Sequence, residues 1–494
     1  MHKLRKILAF FFGALSIFFA GIAVHKHFAL KNDPLHPENL REWGNDITSQ
    51  ARKQDKLIFF FIDAEKFENS DFLKHNFLIT HLDKNAYPAD FRAVACIYGK
   101  QERTEKIAYG ILTPRMFPLL VSAKLPEQDS PQNPSLKTVL YSAVKLYQNE
   151  RKKLNLLSNK SKIENKDTPI FASLTSNNLA ENAELFQFFA THNLKSIPSA
   201  IVSENAKLLF RKCKTNYKDN FAINALPLAV RHLISGIDSE SSDFTRKILF
   251  AQALAECAIL LKEKDALEVS ENFAKHLYSI QRQDGGFEDS EKKIILLSQN
   301  ALILRFLNLN YKILPNERTL ESIKKCEKFV HANFLSKRGL PAMLEKKSES
   351  GATEYGILSC TYFDMFLTLD DKDYLKKSLF LVAKLNENFL DESGLYKEMS
   401  KDSVFAKYVN LYSIKDNILP SASGSVAQIL ANMQSINPNE KQAKTLESIQ
   451  SVFKTKSGFS SLDKASLKLS AYTSPLVDSL QTHKLINESS ASTK

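Results

Sequence analysis

The sequence is poor in the residues that carry thiol and metal chemistry. Its five cysteines, Cys96, Cys213, Cys257, Cys326 and Cys360, are scattered singly and never stand at CxxC spacing. No dithiol exchange centre and no thiolate metal site can be read from such a pattern, and small buried thiols are expected at Cys257, Cys326 and Cys360. The eleven histidines include no HExxH pair, and no P-loop, GxGxxG or GxSxG elbow occurs. No metal and no cofactor is expected. Basic stripes interleaved with aromatics are also missing. The net charge of +12, mostly lysine spread along the chain, therefore reads as a solvated surface and not as a nucleic-acid footprint.

What is present is a globular composition, 44% hydrophobic and 25% charged, in 494 residues. That is too long for one ordinary core, so two or three domains are expected. At the N-terminus Lys3, Arg5 and Lys6 precede an uncharged, mostly apolar run from Ile7 to Val24. Residues 1–28 read as a membrane anchor, or as a signal peptide cleaved near Ala20-Gly21-Ile22-Ala23. The positive flank would stay in the cytoplasm. The expectation is an inner-membrane-anchored chain, touching the membrane through residues 7–24, with its bulk periplasmic or extracytoplasmic.

Residues 40–150 read as an α/β domain. A polar helix at Asp46–Lys53 is followed by Lys56–Ile62, an apolar run without alternation, as a strand buried on both faces requires. A second extended segment runs from Phe77 to Asp83, and Pro118 opens a third after Met116-Phe117. This order of elements is that of a thioredoxin-type fold. A helix over about Leu136–Leu156 leads into a charged linker, Ser158–Lys162. From residue 168 to 486 the pattern is almost wholly helical. Helices are expected at 178–190, 221–234, 244–262, 266–280, 290–310, 319–334, 353–369, 371–389, 423–435, 440–454 and 473–486, with an irregular stretch around Ser196-Ile197-Pro198. Ser242 and Thr319 are N-cap candidates. Glycine-bearing loops such as Gln283–Phe287 alternate with the helices, which suggests concentric hairpins, an all-α (α/α)6 barrel.

These segments together resemble the spermatogenesis-associated thioredoxin-like family, whose members join a thioredoxin-like domain to a six-hairpin barrel akin to N-acylglucosamine 2-epimerase. The resemblance lies in Trp43-Gly44, Lys56–Ile62, Asn76–Asp83 with Pro88 and Asp90, Met116–Leu119, Asp284–Phe287, Asn300-Ala301-Leu302, and Asp416 with Pro420–Ala427. It implies a cis proline at Pro118. It also implies that Asp284, Asn300, Asp416, Ser421 and Ser423 lie at a ligand-binding lumen. Two departures accompany it. The family's Cys-His-x-Cys turn is replaced, leaving Phe67 and Ser70 beside Pro118 as a degenerate redox site, or is deleted so that Glu65–Asn69 joins the next helix. Its histidine, glutamate and aspartate before Asn-Ala-Leu become Lys292, Ile294 and Gln299.

The remaining acid–base candidates are Asp284, Glu288, His331, Glu354, Asp364 and Asp416. Each has a structural counterpart: Glu354 as a helix-start glutamate, His331 as a surface histidine, and Ser421 and Ser423 after Pro420 as capping residues. Pro118 could equally be an ordinary strand opener. The lost thiols and lumen acids point to an exported, membrane-tethered and redox-inactive pseudoenzyme of the cell envelope that binds a carbohydrate or protein partner. The alternative is a carbohydrate-active enzyme, epimerase or glycoside hydrolase-like, that uses Glu354, Asp416 or His331 in the barrel lumen.

Overall fold

The computed structural model describes residues 40–436 except 63–69, 99–106, 131–133, 161–162, 165–188, 191–193, 195–196, 216–219, 240–242, 290, 336–338, 345–346, 393–394, 404, 408 and 414–417. The N-terminal apolar run, Phe67, Asp416 and the helices expected at 440–454 and 473–486 lie outside these residues. Among the described residues no helix is long and apolar enough to cross a membrane. The chain divides into two compact units. The first holds residues up to Lys84, Asp90–Ile163 and the short segment Ser403–Val409; the second holds Asn85–Ala89, Glu164–Asp402 and the chain from Asn410.

The first unit is a four-stranded sheet with helices. In chain order it contains α1 (Asn45–Gln54), β1 (Leu57–Phe61), α2 (Ser70–Asn76), β2 (Phe77–His81), α3 (Pro88–Tyr98), β3 (Ile107–Leu112), β4 (Pro118–Ala123) and α4 (Leu136–Lys160). The strand order is β2-β1-β3-β4, with β1 parallel to β2 and antiparallel to β3, and β3 antiparallel to β4. All five residues of β1 are buried, as its unbroken apolar run requires. Leu57, Phe59 and Phe61 pack with Phe77, Ile79, Tyr109 and Ile111 and with Leu136, Leu140 and Tyr147 of α4. On the opposite face Phe60 lies over Gly110, its cross-strand partner, where a Cβ would collide with the ring.

Several expectations for this unit change. No described peptide bond is cis, so Pro118 enters β4 through a trans bond as an ordinary strand opener. The bend before it is made instead by Thr113, whose side chain accepts the Phe117 N–H, and by Met116 at φ 68. The segment Ser158–Lys160 continues α4 and is not linker. Ser70 is the first residue of α2.

The second unit is built from α5 (Ser199–Thr215), α6 (Asn220–Asp238), α7 (Phe244–Leu261), α8 (Lys264–Ile280), α9 (Leu297–Ile313), α10 (Glu317–Phe334), α11 (Ala352–Leu369), α12 (Lys372–Asn388) and α13 (Ala422–Ile436). Helices α5, α7, α9, α11 and α13 pack on one another in succession, while α6, α8, α10 and α12 each lie against the inner helices beside them. The two sets differ in sequence. In α9 nearly every residue from Leu297 to Asn308 is buried, whereas α8 buries one stripe, Ala266, Ser270, Phe273, Ala274 and Leu277. A helix apolar all round belongs inside and an amphipathic one outside, which is the alternation seen.

The helix starts also move. Asp243 and Asn316 cap α7 and α10, receiving the N–H of Arg246 and Thr319, in place of Ser242 and Thr319. Helix α9 begins at Leu297 and not at 290, because Asp289 accepts the N–H groups of Glu291 and Lys292 and Lys293 turns to φ 54. Ile197 and Pro198 are irregular, as expected, and α5 begins directly after them at Ser199.

One buried acid in the first unit titrates abnormally. Asp90 accepts from Trp43 Nε1 at 2.8 Å and from Ser403 Oγ at 2.6 Å. Burial pushes its carboxyl above the usual range, and the two donors offset this only in part. The folded unit therefore holds the Asp90 proton more tightly than the unfolded chain does. That contribution is full below an ordinary carboxylate pKa of about 4 and is lost as pH rises through the raised value. Trp43 is the sole tryptophan, so its fluorescence reports this unit. The urea midpoint of that signal should fall from pH 4 upward, and D90N should flatten the slope; equal slopes in both proteins would contradict the assignment.

Candidate functional site

The first turns of α11 and α13 meet in a buried polar cluster. Tyr396–Glu398 pairs with Leu411–Ser413 as a short antiparallel ladder, through Glu398 N–H to the Leu411 carbonyl at 2.7 Å and Ser413 N–H to the Tyr396 carbonyl at 2.8 Å. The alternation of this pair turns Glu398 and Ser413 inward, and both are buried. Glu398 Oε2 receives the Thr353 hydroxyl at 2.7 Å, and Thr353 Oγ1 lies 2.8 Å from Ser413 Oγ. Ser413 Oγ also accepts the Ala422 N–H at 2.9 Å, which ties the start of α13 to the start of α11.

Glu354 sits in the first turn of α11, 2% exposed, and its Oε2 accepts the Gly351 N–H at 2.8 Å. Glu398 also lies against Gly351, where a Cβ would collide with its Oε1. The two carboxylates thus meet at one glycine, and backbone dimensions bound their near oxygens to within roughly 8 Å of each other. Ser421 caps α13 by accepting the Gly424 N–H at 3.2 Å. Ser423 is fully buried, and its hydroxyl has no hydrogen-bond partner among the described residues. The structure therefore gathers Glu354, Ser421 and Ser423 at one end of the inner helices. It adds Glu398, Thr353 and Ser413. Glu398 and Ser413 lie in loop sequence, between Lys397 and Met399 and after Tyr412, where no periodic signal marks them.

The other candidates sit elsewhere. His331 is exposed on the outer helix α10. Asp284 is exposed and pairs with Arg282, which also reaches Glu288 at 2.9 Å. Burial raises the Asp284 carboxyl, but Arg282 and the Gly286 N–H outweigh it and hold it below the usual range. Asn300 is fully buried. It accepts the Phe287 N–H at 2.8 Å and donates to the carbonyls of Phe287 and Leu296, both at 2.9 Å, so it clamps the glycine loop onto α9. That loop needs glycine at 285, where φ is 96 and a Cβ would strike the Lys325 carbonyl.

A second polar set, which the sequence reading missed apart from Asp364, runs along the inner helices themselves. Arg305 of α9 pairs with Asp364 of α11 at 2.6 Å and reaches Gln428 of α13 at 3.3 Å. On α5, Lys207 pairs with Glu204 at 2.6 Å, and Arg211 pairs with Glu256 of α7 at 2.6 Å. Burial opposes the Arg305 charge, yet Asp364 and Glu204 hold it above its usual range. Burial likewise raises the Glu204 carboxyl, but Lys207, Arg305 and Arg211 outweigh it and leave it lowered. The Cys360 thiol beside them is pushed up to about 12, chiefly by burial, so it stays protonated. Three cations meet three carboxylates here, and the set is balanced. The signal that could have found it is a lone arginine inside the apolar run Leu302-Ile303-Leu304-Arg305-Phe306-Leu307.

No protein-family model and no curated protein matches the sequence. Solved structures of six-hairpin (α/α)6 barrels are similar to it. An unsaturated glucuronyl hydrolase specific for heparin is 12% identical, covers 59% of this chain and 86% of its own, and has a TM-score of 0.42. Cellobiose 2-epimerase from Bacillus thermoamylovorans is 12% identical over 58% of this chain and 87% of its own, at 0.42. An inactive variant of a Salegentibacter sp. α-1,6-mannanase, in complex with α-1,6-mannotriose, is 10% identical over 61% and 97%, at 0.46. At this level of similarity no residue and no substrate is transferred to the chain. The comparisons stand against the expectation of a pseudoenzyme that only binds, since these neighbours are carbohydrate-active enzymes; the anchor expected at residues 7–24 lies outside the described residues.

The balanced inner set carries a stability consequence. Replacing Arg305 by leucine leaves the mostly covered Asp364 without this partner and should cost about 2–3 kcal/mol, less than for a fully buried pair. Replacing both, as R305L/D364L, should recover most of that loss, as read by urea unfolding followed by far-UV circular dichroism. A double variant no better than R305L would show that the pair is not coupled.

Proposed function

We propose that the helical unit is a carbohydrate-active enzyme, with Glu354 and Glu398 as its acid–base pair. The observation that supports this is the placement of two buried carboxylates against Gly351, with near oxygens no more than roughly 8 Å apart, a bound that admits the separations acid–base pairs on sugars adopt. Chemistry at a sugar carbon needs one group to give a proton to a departing or rearranging oxygen and another to take one from a hydroxyl or water. The backbone N–H of Gly351 orients Glu354, and the Thr353 hydroxyl orients Glu398. The surrounding hydroxyls of Ser413 and Ser421 suit a polyhydroxyl ligand more than an apolar one.

For the first unit we propose a thioredoxin-like fold. The order β2-β1-β3-β4 with a parallel β1/β2 pair supports it, as do the segments that resemble the spermatogenesis-associated thioredoxin-like family.

The test is turnover by the full chain on a panel of unsaturated glucuronides, cellobiose and α-1,6-mannooligosaccharides, followed by NMR of the anomeric protons. Turnover of at least one class is expected, and E398Q should lower kcat by about 100-fold or more while the protein stays folded. No turnover anywhere on the panel, or an E398Q variant as active as the parent, would end the proposal.

A further inference from the structure

The ladder that carries Glu398 and Ser413 is the base of a longer hairpin. Its strands, Tyr396–Glu398 and Leu411–Ser413, belong to the second unit, whereas the tip between them, Ser403–Val409, belongs to the first. The tip is a tight turn, with the Ala406 N–H on the Ser403 carbonyl at 3.1 Å and the Val409 N–H on the Phe405 carbonyl at 3.0 Å. Two side chains anchor it in the first unit. Phe405 is fully buried 5.8 Å from the Trp43 ring, which lies edge-on to Phe60 of β1 at 5.4 Å. Ser403 donates to the buried Asp90 at 2.6 Å. A buried aromatic with a buried hydrogen bond beside it is an anchor that costs free energy to withdraw.

The base caps two inner helices. The Glu398 carbonyl accepts the Ala352 N–H at 3.0 Å at the start of α11. Ser413 accepts the Ala422 N–H on Oγ at 2.9 Å and the Ser423 N–H on its carbonyl at 3.0 Å, at the start of α13. These are first-turn groups that a helix cannot satisfy by itself. The two arms between tip and base differ. Met399–Asp402 is pinned within the second unit: the Lys401 N–H and Nζ donate to the carbonyls of Asn388 and Glu387 at 3.2 and 2.8 Å, and the Ser400 hydroxyl donates to Glu349 at 3.1 Å. The other arm is Asn410 alone. Val409 and Asn410 are already extended, as a strand pairing with Ile163–Glu164. One residue spans at most ~3.6 Å, so this arm has no slack to absorb a displacement of the tip.

We infer that the hairpin is a latch: docking of its tip on Trp43 and Asp90 in the first unit holds Leu411–Ser413, and through it the start of α13, in the second. The pinned arm keeps Glu398 in place whether or not the tip is docked. Release of the tip therefore loosens the α13 side of the base and spares the α11 side. The latch couples the two units through the polypeptide itself, and it does not depend on what the helical unit catalyses.

Hydrogen exchange of the full chain, read by mass spectrometry, tests this in F405D, F405L and S403A. The emission of Trp43, the sole tryptophan, reports separately whether the tip has left. F405D should shift that emission to the red and speed exchange about tenfold or more in peptides covering 411–413 and 420–426, while a peptide over 350–356 and helix α8 stay within about twofold of the parent. F405L should keep parent rates. S403A, which removes only the bond to Asp90, should give a smaller rise of about threefold in the same peptides and decides the matter if F405D does not fold. A red-shifted Trp43 with 411–413 and 420–426 at parent rates would overturn the latch. So would an F405D or S403A variant in which neither signal moves, or one in which α8 exchanges as fast as the start of α13.

Discussion

A helix without a polar face has to be covered on every side, and the second unit is arranged around that constraint. Helices α7, α9 and α11 bury residues all round their circumference, so each must touch inner neighbours on two sides and an outer helix behind. The outer helices meet the demand with single stripes such as Ile323, Cys326, Phe329, Val330 and Phe334 of α10. Burying one such side chain is worth about 1.5–3 kcal/mol, which is why stripes of four or five suffice to hold an outer helix in place.

The same constraint governs every polar group on the inner helices. Once α9 is enclosed, the Arg305 side chain is left only 12% exposed, and Asp364 and Gln428 meet its charge from the next two inner helices. At the helix starts the demand falls on backbone N–H groups. Glu354 and Ser421 each satisfy one, while Ser413 and Glu398 come in from a loop ladder to complete the cluster. Glu354 is therefore placed by the capping requirement of α11, whereas Glu398 is placed by the loop ladder that carries it.

Legibility from sequence followed the range of the signal. The unbroken apolar run of β1 and the one-sided periodicity of α10 announce themselves within a few residues, and their elements form close to where the pattern places them. Helix α5 was hidden because its start at Ser199 follows a proline and its inner-facing positions carry charge, Glu204 and Lys207 paired with each other and Arg211 with Glu256 of α7. The boundary at residue 290 was hidden because one aspartate side chain, Asp289, redirects the backbone. Of the site, Glu354 and Ser421 were visible through helix-start rules. Glu398 and Ser413 gain their meaning only through cross-strand pairing, a contact that no local pattern encodes.

Ser403–Val409 belongs to the first unit although the second unit surrounds it in sequence. Phe405 of that segment is fully buried with its ring 5.8 Å from Trp43, and Ser403 donates to Asp90. The α/β unit is therefore discontinuous along the polypeptide. During synthesis its sheet residues leave the ribosome nearly three hundred positions before the piece that seals the Trp43 side. Until that piece arrives the indole and the Asp90 carboxyl lack a covering, so completion of the earlier unit must wait on translation of most of the later one.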